Sequence, residues 1–283
     1  MKLRHTAAWV GFTAAALVAA SACSTEGAKT AAKAVDNADD KIMAALTRAT
    51  DRTQNLGSAE VTMSTDLGTG TGPISMDGTY SWGRGFAFDV DMDTRAAQMQ
   101  TLTSSPKVRM LFVDGAYYYD VDPQPSGPLK GKEWMKIDGS AVFGDKGKQA
   151  MAGSTGGGSP VASMKALKYA SDVDDLGKET VDGQSTTHYH AVIKADQMGK
   201  FKDVYGDQGN MLNQMTGANG SMVMDIWVNG KDLPVRLKEK LGAATVTMDF
   251  KKFGQTVAVK APPASQTGDL TELVKAQQKK SQG

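Results

Sequence analysis

The feature that most constrains this chain is a two-residue alternation of apolar and polar side chains. Phe86, Phe88, Val90 and Met92 recur at every second position, with Ala87, Asp89, Asp91 and Asp93 between them. In an extended strand successive side chains point to opposite faces, so this pattern describes a strand with one buried and one wetter face. Val108, Met110 and Phe112 alternate with Arg109 and Leu111 in the same way. So do Met222, Met224, Ile226 and Val228 with Val223, Asp225 and Trp227, and Val246, Met248 and Phe250 with Thr245, Thr247 and Asp249. Asp77-Gly78, Asp114-Gly115, Asp182-Gly183 and Asn229-Gly230 lie between extended runs. Asp-Gly and Asn-Gly accept the positive φ angles of tight hairpins. Such signals predict an antiparallel meander rather than alternating strands and helices. Asp138-Gly139 is similar but opens a looser region.

The N-terminus carries a different message. Lys2, Arg4 and His5 precede an uncharged run from Trp9 to Ala20, and Ala20-Ser21-Ala22-Cys23 follows. A positive start, a short apolar run and small residues are the layout of a secretory signal, and the run is too short to span a bilayer. Cys23 is the single cysteine, so no internal disulfide can form. The segment resembles a lipobox with Ala20 where Leu is commoner, and that resemblance implies acylation of Cys23. Residues 1–22 are therefore expected as a signal peptide and 23–38 as a flexible, small and polar tether beginning at the lipidated Cys. Losing Lys2 and Arg4 takes the 32 basic residues to 30 against 31 acidic ones. A near-neutral mature chain offers no basic face for nucleic acid.

Helical spacing of Ile42, Ala45, Leu46 and Ala49 predicts a helix over Asp39–Leu56, with Asn37 or Asp39 as its cap and Gly57 at its end. GSTGGGS (153–159) reads as a loop. A short helix is expected from Pro160 to Asp172, with Pro at its start, and a second helical patch over Asp196–Gln214. Residues 39–263 then form one domain, and 264–283 a polar tail, either a frayed helix or disordered. The fold class is α+β: a large curled antiparallel sheet, a half-barrel, with helices covering its concave face.

Catalytic signatures are absent: no G-x-S-x-G, no H-E-x-x-H and no P-loop. Nothing in the sequence calls for a cofactor. Asp89, Asp91 and Asp93 imitate a calcium loop, but Thr94 and Gln100 stand where that loop needs Gly and Glu. His188 and His190 share one strand face and could begin a Zn²⁺ or Cu²⁺ site with Asp225 approaching in space, although packed or hydrogen-bonded rings are the simpler reading. Methionine is abundant, 16 in all. Several fall on inward faces, where a flexible, polarizable side chain suits an adaptable apolar surface.

Three late segments, ETVDGQSTTHYHAVI (179–193), MDIWVNGKDLPVRLK (224–238) and VTMDFKKFGQTVAVKAPP (246–263), resemble the mycobacterial LppX/LprG-type envelope lipoproteins and, more distantly, the LolA-like lipoprotein carriers. The likeness spans about residues 40–263. It implies an apolar cavity able to hold acyl chains, with no catalytic residue transferred. Candidate lining residues are Phe88, Val90, Met92, Met110, Phe112, Met224, Ile226, Met248 and Phe250. Sheltering a chain gains about 0.8 kcal/mol per CH₂, roughly 12 kcal/mol for 16 carbons. The bilayer offers about as much, so such a cavity suits a carrier that both takes up and releases cargo. The leading expectation is a non-enzymatic protein on the outer face of the cell membrane, anchored through acylated Cys23. It would bind a lipid or glycolipid and assist its transport or placement, with a membrane transporter as candidate partner. The alternatives are an envelope interaction module without lipid cargo and a metal-binding protein using His188 and His190.

Overall fold

The computed structural model describes residues 25–281 apart from 69, 71, 153–158, 171, 195 and 198–220. The expected signal peptide, Cys23, nearly all of the expected 153–159 loop and nearly all of the expected 196–214 helical patch lie outside the described residues. The chain divides into two compact units, residues 1–38 and 39–283.

Helix α1 spans Thr25–Leu56. It ends where the sequence predicts but begins in the segment expected as a tether, so positions 37 and 39 lie within the helix and not at its start. Leu46, Ala49 and Thr53 are buried along one stripe. The hydroxyls of Thr50 and Thr53 donate to the carbonyls of Leu46 and Ala49, 2.8 and 2.7 Å away, which satisfies both polar groups inside the core. Gly57 closes the helix at φ +71°, and a side chain there would press on Gly83 Cα at 3.3 Å.

A first meander follows: β1 (Ser58–Asp66), β2 (Ile74–Ser81), β3 (Ala87–Asp93), β4 (Lys107–Val113), β5 (Ala116–Asp120) and β6 (Trp134–Asp138). Helices α2 (Gly139–Ala152) and α3 (Pro160–Ala166) lead to a second meander. Its strands are β7 (Asp172–Val181), β8 (Gln184–Ile193), β9 (Met222–Asn229), β10 (Pro234–Leu241) and β11 (Ala244–Lys251), after which β12 (Thr267–Asp269) and α4 (Thr271–Ser281) complete the order. The sheet runs β12-β6-β5-β4-β3-β2-β1-β11-β10-β9-β8-β7 and does not close. Antiparallel pairing of β1 with β11 joins the meanders, Met63 facing Met248 and Val61 facing Phe250.

This order explains the covering helices. From β6 near one edge the chain must reach β7 at the other, and α3 lies on the way. Val161, Ala162, Met164 and Ala166 of α3 are buried in the same core as Leu46 and Ala49 of α1 and the inward residues of the sheet. Ser159 caps α3 by accepting from Val161 N at 3.2 Å. The return from β11 to β12 passes the opposite face, where Val259 packs on Leu111, Val113 and Tyr118.

Four expectations are corrected. The sheet is mixed, because β12 pairs with β6 in parallel. The C-terminal segment holds a strand as well as the helix the sequence allowed: β12 precedes α4, and Lys136 holds Asp269 at 2.9 Å. Helix α3 stops at Ala166 and passes through a 3₁₀ turn to Tyr169, so Asp172 opens β7 instead. Asp77-Gly78 is not a turn but the middle of β2, paired with Asp91 and Val90. A Cβ on Gly78 would lie 2.1 Å from the Asp89 carbonyl oxygen, so glycine is there for the close approach of β3. Asp114-Gly115 and Asp182-Gly183 hold φ values of +54°, +74° and +48°, +74°, as two-residue hairpins need; Asn229-Gly230 does lie between β9 and β10, but the positive φ of that longer loop falls on Asp232, at +53°.

Candidate functional site

All nine residues expected to line a cavity lie on one face of the sheet and in one apolar cluster. Phe88, Val90, Met110, Phe112, Met224, Ile226 and Phe250 are buried there, and Met92 and Met248 are partly buried against it. Strand periodicity had put them on one face, and they share it. Register decided which of them meet.

The face has two ends of different character. At one, Tyr80, Phe86, Phe88, Phe112 and Tyr117 form a closed aromatic group. Phe88 stacks on Phe112 with centroids 5.6 Å apart, and Phe112 meets Tyr117 at 4.8 Å. Phe112 has no accessible surface. Burial pushes the Tyr80 and Tyr117 hydroxyls well above the usual phenol range, with each further raised by a neighbouring tyrosine, so both stay neutral.

At the other end lies a row of methionines. Met92 faces Met76, Met76 faces Met63, and Met63 faces Met248, each on the next strand of β3-β2-β1-β11. Leu237 and Ile226 continue the row across β10 and β9. All four methionines keep intermediate exposure, as do Val246, Thr65 and Ile74 one step further along. Directly opposed side chains lie about 5 Å apart, so the four thioethers form one continuous, deformable strip. Met63 and Met76 were missed as candidates, although Val61-Met63-Thr65 and Ile74-Met76-Gly78 carry the same alternation.

Glu239 was also missed. The run Leu237-Lys238-Glu239-Lys240-Leu241 places it on the face of the two leucines, and the register confirms this by setting it between Val246 and Met224. Burial drives its carboxyl above the usual carboxylate range, opposed by a hydrogen bond with Ser163 of α3. Two open depressions, of about 570 and 410 Å³, lie elsewhere, around Lys136 and Asp269 and around Thr94 and Ser104.

The outer face carries the histidines. His188 Nδ1 lies 2.8 Å from Glu179 and its Nε2 2.9 Å from Asp225. His190 Nδ1 reaches the same Asp225 oxygen at 2.8 Å. Trp227 Nε1 donates to Glu179 at 2.7 Å, and its ring stacks on His188 with centroids 4.1 Å apart. The Trp227 and His188 hydrogen bonds together hold the Glu179 carboxyl below its ordinary value. Asp225 therefore does approach both rings, as a hydrogen-bond partner of one nitrogen in each. Among the described residues no group of three or more His, Cys, Asp or Glu side chains is arranged to hold a metal ion. Nor is any described helix long and apolar enough to cross a membrane.

No family model matches the sequence. Two curated proteins are similar to most of it. An uncharacterised 31.2 kDa protein encoded between rplA and rplJ in Streptomyces griseus is 26% identical over 82% of this chain and 80% of its own length. A protein of Streptomyces coelicolor, provisionally named a lipoprotein, is 27% identical over 82% of this chain and 76% of its own. Among solved structures, the lipoprotein LppX of Mycobacterium tuberculosis superposes with a TM-score of 0.50 at 18% identity, covering 78% of this chain and 100% of that one. The chain therefore has the LppX-type fold, an open α+β half-barrel.

Proposed function

We propose that this chain is a lipid-anchored envelope protein that holds a lipid or glycolipid along the inner face of its sheet and assists its transport or placement. The observation that carries the reading is the row Met92-Met76-Met63-Met248, an apolar strip spanning four strands that packs against the core and yet keeps accessible surface. Unbranched thioethers re-pack around chains of different length and saturation more readily than β-branched residues do. The aromatic end is closed and rigid, and would act as the floor against which a chain terminates. The LppX-type fold, the lipoprotein name of one relative and the lipobox at Cys23 support the same reading. Stable anchoring takes two or more chains, and an anchored cavity that only matches the bilayer in affinity works because it is held there. Native mass spectrometry of detergent-free protein tests the proposal. Bound acyl lipid is the expected result, and protein that stays empty after exposure to total envelope lipid would sink it.

A further inference from the structure

Glu239 is the anomaly of the inner face. Its neighbours across the strands are Val246 and Met224, and along β10 they are Leu237 and Leu241. Alternation sends Lys238 and Lys240 to the outer face, where both are exposed, and among the described residues no cation acts on the carboxyl. Ser163, itself buried on α3, is its one polar partner among the described residues. Oε1 is fully enclosed with no hydrogen-bond partner among the described residues. The residue as a whole nonetheless keeps intermediate exposure, beside Val246, which is also of intermediate exposure, while its carboxyl meets Ser163 of α3. An unpaired polar atom in such surroundings is costly, and replacing it with an apolar group would relieve that cost. A group kept at such expense in an apolar strip is suited to a ligand that completes it.

The chemistry of the missing partner follows from the site. A carboxyl with no cation, in an apolar setting, is held in its neutral form. As a neutral acid it offers one O–H donor and one carbonyl acceptor, and Ser163 satisfies only one oxygen. The remaining oxygen needs an acceptor or a donor, depending on which oxygen bears the proton. A hydroxyl is both, and completes either arrangement.

We propose that Glu239, with Ser163, is a recognition site for a free hydroxyl on an acylated polyol, the acyl chain lying along the methionine row and the polyol end meeting the Glu239 carboxyl. This rests on the lipid-binding reading above and deepens it, by naming the class of ligand: a partially acylated glycerol or sugar rather than a fully esterified or hydroxyl-free lipid.

The test uses a matched pair of probes. Vesicles of phosphatidylcholine carry equal amounts of 1,2-dioleoylglycerol and its 3-deoxy analogue, the dioleoyl ester of propane-1,2-diol, which differ by one hydroxyl. The full chain, on a Cys23→Ser background that keeps it off the vesicles, is incubated with them, recaptured, and its bound lipids are quantified by mass spectrometry. The expected preference for the hydroxyl-bearing probe is about tenfold, equivalent to about 1.4 kcal/mol. Glu239→Leu and Glu239→Met abolish it, while Glu239→Gln, which retains a donor and an acceptor, preserves most of it. Circular dichroism and thermal unfolding confirm folding of each variant, with Glu239→Leu melting no lower than the parent. Equal binding of the two probes by the parent, or a preference retained by either folded apolar variant, overturns the Glu239 inference and leaves the lipid reading intact. Recovery of neither probe with the parent overturns the lipid reading, and the inference with it.

Discussion

Truncating the two ends of the inner face should cost very different amounts. Phe112→Ala removes a ring with no accessible surface, stacked on Phe88 at 5.6 Å and against Tyr117 at 4.8 Å. Neighbours that tightly locked cannot collapse into the space, so the lost transfer energy and the residual cavity add to about 3–5 kcal/mol. Met76→Ala and Met248→Ala each remove roughly three methylene-sized groups, about 2.4 kcal/mol if fully buried. Both residues already keep accessible surface, and truncation beside open space seals no new void. About half of that value, near 1 kcal/mol, is therefore expected for each. Urea unfolding followed by far-UV circular dichroism measures the differences, with the slope m unchanged so that the midpoints report stability alone. A cost for Met76→Ala equal to that of Phe112→Ala would refute the reasoning, because it would mean that the methionine row is closed core with no space beside it for a chain.

Three further outcomes follow from other parts of the molecule. Burial raises the Asp138 carboxyl, but the Lys148 ammonium at 2.6 Å and the Ser140 amide outweigh it and hold it at about 2, against an ordinary 3.8. Because the folded value is depressed, this contribution is complete above pH 3.8 and fades as pH falls toward 2. After allowance for solvent screening it amounts to about 1 kcal/mol, so Asp138→Asn should lose that much at pH 7 and show a flatter acid limb in unfolding from pH 5 to 2. Trp82 Nε1 donates to the Thr53 carbonyl at 2.9 Å, tying the end of α1 to the sheet, and Trp82→Phe should lower stability by about 2 kcal/mol. An unchanged Tm would dismiss that tie as a contributor. Cys23→Ser should move the protein from the membrane to the soluble fraction, with intact mass losing the acyl groups, and a variant still sedimenting with membranes would show another anchor.

Much of the architecture was legible because strand periodicity and turn chemistry are local. Alternation at Phe88-Val90-Met92 and Met224-Ile226 named the inward face, since each side chain's orientation depends only on its neighbours along the chain. Asp114-Gly115 and Asp182-Gly183 marked hairpins because positive φ is a property of those residues. The same rule misread Asp77-Gly78, where glycine answers to the backbone of another strand and not to a turn. The C-terminal segment looked like a tail because Thr267–Asp269 is too short for any period to show, and only β6, distant in sequence, makes it a strand. Helix α1 looked like a tether over residues 25–38 because small polar residues carry no hydrophobic stripe, yet most of them support a helix once it is nucleated further on.

The functional surface divides in the same way. By itself the sequence determined a signal-like N-terminus with a single cysteine, a meander with one apolar face, and a supply of methionine to fill it. Only the tertiary structure decided that four of those methionines, on β3, β2, β1 and β11, stand side by side. Met92, Met76 and Met63 meet through consecutive strands, but Met248 joins them only because β1 pairs with β11, about two thirds of the chain away, and no local pattern encodes a partner that far off. It also decided that Glu239, ordinary in its own run of lysines and leucines, is enclosed between α3 and the sheet. Its surroundings come from segments that meet only on folding, and those surroundings make a common surface residue a neutral, half-satisfied acid.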